Sequence, residues 1–141
     1  LAHCEIVPSL IQVECHPYYP QTHLKEILAK HNMALQAWYP LGGRDNGCIM
    51  DEPIVKQLAA KHSKSPAQII MRWHIQQGNI VIPGSKTPSH IAENIDIFDF
   101  ELSVEDMAAI STLDRGKPFY ERTPEKMDMY ATWHPDVEGQ K

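Results

Sequence analysis

The sequence has little of several features that would fix its class at once. Its 141 residues include three cysteines, Cys4, Cys15 and Cys48, an odd number with no Cys-x-x-Cys spacing. That count points away from a disulfide framework and towards a reducing compartment, with the cytoplasm the expected location. No apolar run approaches the roughly 18 residues of a membrane-crossing helix, so no membrane partner is expected. The net charge is −5 and no basic stripe is present, which leaves a nucleic-acid partner without support. There is no internal repeat and no low-complexity tract. Nor does an initiator methionine or a targeting pattern open the chain, which begins LAHCEIVPSLIQVE. Leu1–His3 read as the last turn of a helix running straight into a strand, as expected for a piece of a longer protein.

What is present describes one ordinary globular domain. Hydrophobic residues make up 43% and charged residues 22%, enough apolar side chain for a sizeable core. Short runs of strand length begin at Leu10 (LIQVE), Ala34 (ALQAW) and Asn79 (NIVIP), each followed within a few residues by proline or glycine. Helical patterns lie between them. Residues 21–32 put Leu24, Ile27 and Leu28 on one face, and 53–62 do so with Ile54, Val55, Leu58 and Ala59. Ser65-Pro66-Ala67-Gln68 combines an N-cap serine, a first-turn proline and a capping-box glutamine, opening a helix with Ile69, Ile70, Trp73 and His74 that Gly78 ends. Thr87-Pro88 repeats the cap-then-proline signal. Ser103-Val104-Glu105-Asp106 opens another helix, expected to turn Val104, Met107 and Ile110 inward, with Phe98 and Phe100 packing just before it. From Arg115 the periodicity dissolves, and 115–141 reads as a long loop.

Strands alternating with helices predict βαβ units and a parallel sheet. Three parallel strands alone leave two long open edges, and closure into a β/α barrel hides such edges. The expected fold is therefore α/β, with this chain forming part of a barrel.

Three segments carry a resemblance: PSLIQVECHPYYPQ (8–21), AWYPLGG (37–43) and IPGSKTPSHIAENIDIFDFEL (82–102). In this order and spacing, with LSVEDMAAISTLDRG following, they resemble the C-terminal half of an aldo/keto reductase. The resemblance implies a (β/α)8 TIM barrel that reduces aldehydes or ketones with NADP(H). Residues 1–141 then form the C-terminal part of one oxidoreductase domain, its last three β/α units plus a C-terminal helix and loop. It also implies two partners, a small-molecule carbonyl substrate and the N-terminal half of the same barrel.

The resemblance further implies a set of cofactor-binding residues. Gln12 is similar to the family glutamine that hydrogen-bonds the nicotinamide carboxamide, and Trp38 stands where the family stacks an aromatic on the ring. Pro40, Leu41 and Gly42 fall in the turn along the pyrophosphate. Gly84, Ser85 and Lys86, with His90, Glu93 and Asn94, match positions around the adenosine phosphate and adenine. Two departures bear on specificity. Gly84 replaces a common lysine and His90 a common arginine, and histidine cannot copy a bidentate guanidinium grip. Lys86 offers a substitute charge, so NAD(H) stays open beside NADP(H). Ile11 also replaces a usual asparagine. The family's catalytic Tyr, Lys, Asp and His belong to the first half of the barrel, which this chain begins after, so no catalytic residue is assigned. Phe119, Tyr120, Tyr130 and Trp133 are either walls of the substrate pocket or parts of a disordered tail. A nonenzymatic cofactor-binding or structural protein on the same fold, or an inactive truncated product, are the alternatives.

Single residues also have plainer readings. Ser85 and Thr87 serve equally as turn and cap residues, and Trp38 as core. Glu14, Cys15 and His16 are all metal-ligand types, but alternation along a strand sends Cys15 to the opposite face from the other two, so no metal site is expected. His16 reads as a hydrogen-bonded structural residue and Cys15 as a buried thiol. His23, His31, His62 and His74, on helical patterns, read as surface or boundary groups.

Overall fold

In a computed structural model, residues 4–42 and 49–134 are described. Three parallel strands, β1 (Leu10–Glu14), β2 (Ala34–Trp38) and β3 (Ile80–Val81), form one sheet in the order β1-β2-β3. Leu10 pairs with Ala34 and Glu14 with Trp38, so β1 and β2 end level with each other, and Gln36 pairs with Ile80. Helices α1 (Thr22–Lys30), α2 (Pro53–His62), α3 (Pro66–Gln76), α4 (Pro88–Ile95), α5 (Val104–Ser111) and α6 (Pro124–Thr132) fill the connections and the C-terminal region. The first two strands coincide with the apolar runs. The third is cut to two residues: it pairs with β2 only at Ile80 and Val81, and Pro83 just beyond has no N–H to donate.

The helix starts follow local chemistry. Ser65 accepts from the Gln68 N–H while the Gln68 side chain returns to the Ser65 N–H, a complete capping box. Ser103 and Asp106 do the same for α5. Thr87 differs: its side chain makes no cap bond, and its own N–H goes to Ser85 Oγ at 3.0 Å.

Two apolar clusters hold these elements together. One fills the space between the sheet and α1, with Cys15, Leu28, Leu35 and Ala37. The larger joins α2, α3 and α5 through Val55, Leu58, Ile69, Ile70, Trp73 and Ile110, together with Tyr18 and Ile49. Helix α3 is buried from Gln68 through His74, over two turns and all round, because it lies between the sheet and the outer helices.

Several expectations need correction. His74 is fully buried rather than a boundary group, a consequence of that all-round burial. Val104 is 82% exposed, since it occupies the first position of α5 and only Asp106 and Ile110 of that helix turn fully inward. Phe98 is also exposed, whereas Phe100 packs on the main cluster. Ile27 lies at the exposed edge of its helix face. The 115–141 segment is not all loop: Thr123 caps α6 by accepting from the Lys126 N–H, with Pro124 in its first turn. The reading of Leu1–His3, and Gly43 and Cys48, lie outside the described residues.

Candidate functional site

Because β1 and β2 are parallel and in register, their C-terminal ends share one edge of the sheet. Here the chain opens a cavity of about 1060 Å³ whose lining includes Gln12, Glu14, Trp38, Tyr120, Tyr130 and Trp133. Gln12 Nε2 donates to Gln36 Oε1 at 3.1 Å, tying the glutamine to the neighbouring strand. Trp38 is 39% exposed, packing at 4.4 Å between ring centroids on Tyr39 and edge-on at 5.8 Å to Tyr120. Of the four tail aromatics, Tyr120, Tyr130 and Trp133 therefore line the same space as Gln12 and Trp38, whereas Phe119 packs on the main apolar cluster instead.

The turn after Trp38 is backbone-constrained. Tyr39 adopts φ 57°, uncommon for a bulky residue, and the Gly42 N–H closes the turn on the Tyr39 carbonyl at 2.9 Å. Gly42 is itself at φ 62°, and a Cβ there would collide with Ile49 and come within 2.9 Å of Phe119 Cε2. Close packing against protein alone thus accounts for this glycine. Pro40 is fixed from below: His74 Nε2–H donates to its carbonyl at 3.0 Å, and His74 Nδ1 accepts from Asn79 Nδ2 at 3.0 Å. Burial holds the His74 pKa down at about 3, so the ring is neutral and this pattern is the one it can make.

Glu14 and His16 flank Cys15 as alternation requires, with His16 Nε2 2.9 Å from Glu14 Oε1. Burial lowers the His16 pKa against the pull of Glu14. Cys15 joins the α1-side cluster, and burial raises its thiol to about 11, which keeps it protonated and a poor nucleophile. Glu14 also accepts from the Phe119 and Tyr120 N–H groups, 105 and 106 residues along the chain.

The Gly84–Lys86 group follows β3, the next strand along the same sheet, but does not line this cavity. Ser85 Oγ accepts from the Thr87 N–H, the turn role that the sequence also allowed. Gly84, Lys86 and His90 are exposed, and a Cβ on Gly84 would meet nothing within 4 Å. Glu93 and Asn94 are half-buried on α4, and the Glu93 carbonyl accepts from Gln68 Nε2. The expected cofactor residues thus divide into a cavity-lining pair, Gln12 and Trp38, followed by the packed turn ending at Gly42, and an open group around Gly84–Lys86. Two residues with structural roles at the site escaped the sequence reading. Glu14 reads from the sequence only as a metal-ligand type, because the amides it holds lie 105 and 106 residues along the chain. His74 was hidden by helical periodicity, which cannot mark a helix buried on all sides.

Known proteins bear on this arrangement. The Aldo/keto reductase family model matches residues 51–115. An aldo-keto reductase of Mycolicibacterium smegmatis is 48% identical over 112 residues, covering 79% of this chain and 40% of that protein. Methylglyoxal reductase DkgA of Escherichia coli K12 is 41% identical over 112 residues, with the same coverage of 79% and 40%. Among solved structures, a Gox0644 mutant in complex with NADPH aligns with a TM-score of 0.76 at 42% identity, over 82% of this chain and 42% of that one. The chain therefore spans about 40% of the length of the curated relatives it matches. Its sheet and helices are one portion of a (β/α)8 barrel, and the chain belongs to the aldo/keto reductase family.

Proposed function

We propose that the whole protein reduces aldehydes or ketones to alcohols with NADPH, NADH being the second candidate, and that this chain supplies its cofactor-holding part. The observation that carries the reading is the cavity at the C-terminal strand ends, where Gln12 and Trp38 meet the tail aromatics. Active sites of β/α barrels occupy that face. The residues there fit a nicotinamide: an exposed indole face for the ring, and beside it a glutamine for the carboxamide. When bound, the nicotinamide supplies the hydride.

Each side chain then has a task. Trp38 fixes which ring face meets the substrate, and Gln12 sets the ring's rotation. Pro40, Leu41 and Gly42 run along the pyrophosphate. Gly84, Ser85 and Lys86 take the adenosine phosphate, with His90, Glu93 and Asn94 beside them. The general acid and its partners come from the remainder of the barrel, which also covers the open outer edge of β1 and the exposed Ile82, Ile91 and Ile95. A reducing compartment such as the cytoplasm suits the unpaired Cys4 and Cys15.

The substrate class proposed is small reactive carbonyls, on the strength of the methylglyoxal reductases among the relatives. The test is cofactor oxidation by the full-length protein with methylglyoxal and a panel of aromatic aldehydes. Turnover with NADPH is expected. Quenching of tryptophan fluorescence by NADPH without turnover of any carbonyl would instead favour a nonenzymatic cofactor-binding protein.

A further inference from the structure

We propose that Glu14 is a positioning residue whose carboxylate clamps the Phe119–Tyr120 backbone to the end of β1 and thereby sets the aromatic wall facing the carbonyl substrate. The inference rests on the reading of the cavity as a reductase site. Glu14 is the last residue of β1 and is buried. Its Oε1 accepts from the Phe119 N–H at 2.5 Å and from His16 Nε2–H at 2.9 Å, and its Oε2 accepts from the Tyr120 N–H at 3.0 Å. A buried carboxylate is costly unless donors surround it, and here three do. The two amides belong to a stretch outside any helix or strand, with no ladder of their own.

The clamp reaches the site through the two residues it holds. The Phe119 ring lies 4.6 Å from that of His16 and packs against Gly42, the end of the turn after Trp38. The Tyr120 ring meets Trp38 edge-on at 5.8 Å and Tyr130 at 6.2 Å. Upstream, the Arg115 N–H donates to the Tyr18 carbonyl at 2.9 Å and its guanidinium stacks 3.5 Å over the Tyr18 ring, so the segment enters at a fixed point. Downstream, α6 carries Tyr130 and leads to Trp133, yet no residue of α6 is buried. The wall is thus anchored at its base, and Glu14 is the anchor's acceptor.

The chemistry selects a carboxylate at this position. Two acceptor oxygens face three donors, and a carboxylate brings no hydrogen of its own. Glutamine has the same size but presents an NH2 where one oxygen stood, so at least one donor would face another donor.

The clamp is read first without any substitution, by amide hydrogen exchange on the full-length protein. The Phe119 and Tyr120 amides are expected to exchange at least about tenfold more slowly than those of Glu121 and Arg122. Equal rates would overturn the proposal, whether or not the protein proves to be a reductase. In Glu14→Gln that protection is expected to vanish, and tryptic cleavage after Arg122 and Lys126 to speed up about tenfold. Activity supplies the second arm. KM for a bulky aromatic aldehyde should rise about tenfold, with kcat and the NADPH Kd each within about twofold. In a protein ending at Lys117, Glu14→Gln should change KM no further. An equal rise in KM in that truncated background, or a fall in kcat with KM unchanged, would overturn the positioning role. If Glu14→Gln fails to fold, the exchange rates of the unsubstituted protein decide alone.

Discussion

Gln12 and Trp38 stand at one end of the proposed cofactor site, and Ser85 and Lys86 at the other, in very different surroundings. At the ring end, Gln12 is tied to Gln36, Trp38 lies between Tyr39 and Tyr120, and Gly42 is packed under Ile49 and Phe119. At the phosphate end, Ser85 bonds among the described residues only within its own turn, while Lys86 and His90 are exposed. Among the described residues, Lys86 and His90 show no ion pair or side-chain hydrogen bond. The difference follows from what each end must recognise. A flat, neutral ring is held by shape, which needs a rigid mould built by packing. A phosphate is held by charge, and an exposed lysine can meet it without being fixed beforehand. Substitutions at the ring end should therefore disturb stability and binding together, and those at the phosphate end binding alone.

At neutral pH the largest effect is expected from Gly42→Ala. The new Cβ would sit at a left-handed φ and inside the contact with Ile49 and Phe119, costing about 2–4 kcal/mol. Thermal melting of the full-length protein measures it, and an unchanged melting temperature would mean that the ring end is not rigid. Acidification comes next, through His74. Its folded-state pKa of about 3 lies below the ordinary 6.5, with Lys25 and His16 adding to the effect of burial and the Pro40 carbonyl opposing it. Between those values the unfolded chain binds the extra proton, so stability is complete above about 6.5 and falls as pH is lowered towards 3. The slope from this one group is about 1.4 kcal/mol per pH unit. His74→Gln should flatten that part of the profile. Asp106 adds a further loss only in stronger acid: burial pushes its pKa up, but hydrogen bonds from Lys61, His62 and the Ser103 N–H outweigh this and bring it to about 2.

The two ends also differ in how far the sequence discloses them. LIQVE and ALQAW are strands to the residue, because apolar runs bounded by turn residues have few other ways to fold. The capping boxes at Ser65 and Ser103 are equally readable, since every atom involved lies within four residues. Glu14 holds amides more than a hundred residues away, and no local pattern contains that bond. His74 is obscured by another cause. Burial from Gln68 to His74 erases the polar stripe that marks an amphipathic helix, so its histidine looks like any boundary residue. Val104 errs in the opposite sense: apolar and helical, it occupies a first-turn position with nothing packed on it. Membership of the family was legible from motifs alone, whereas the hold on the tail was not.

Trp38→Ala sharpens the comparison through ligand choice. The indole is proposed to meet the nicotinamide, which NADPH and NADH share, so both should lose about tenfold in affinity. Titration with each cofactor gives the ratio directly. A loss confined to NADPH would move Trp38 away from the ring.

The smallest effect, and the most discriminating, is expected at Lys86. Its ammonium is exposed, and an interaction between exposed charges is worth no more than about 1 kcal/mol. Lys86→Ala should then weaken NADPH binding about threefold to fivefold, leave NADH binding unchanged and leave the melting temperature where it was. The NADPH loss should shrink as salt is raised, because screening acts on charge pairs at the surface. His90→Arg tests the same end in the other direction. A guanidinium can grip a phosphate through two parallel hydrogen bonds, so the substitution should shift preference towards NADPH without touching the ring end. Equal effects of Lys86→Ala on both cofactors would place the lysine against the shared pyrophosphate, and the contrast between a moulded ring end and an electrostatic 2′-phosphate end would then have to be redrawn.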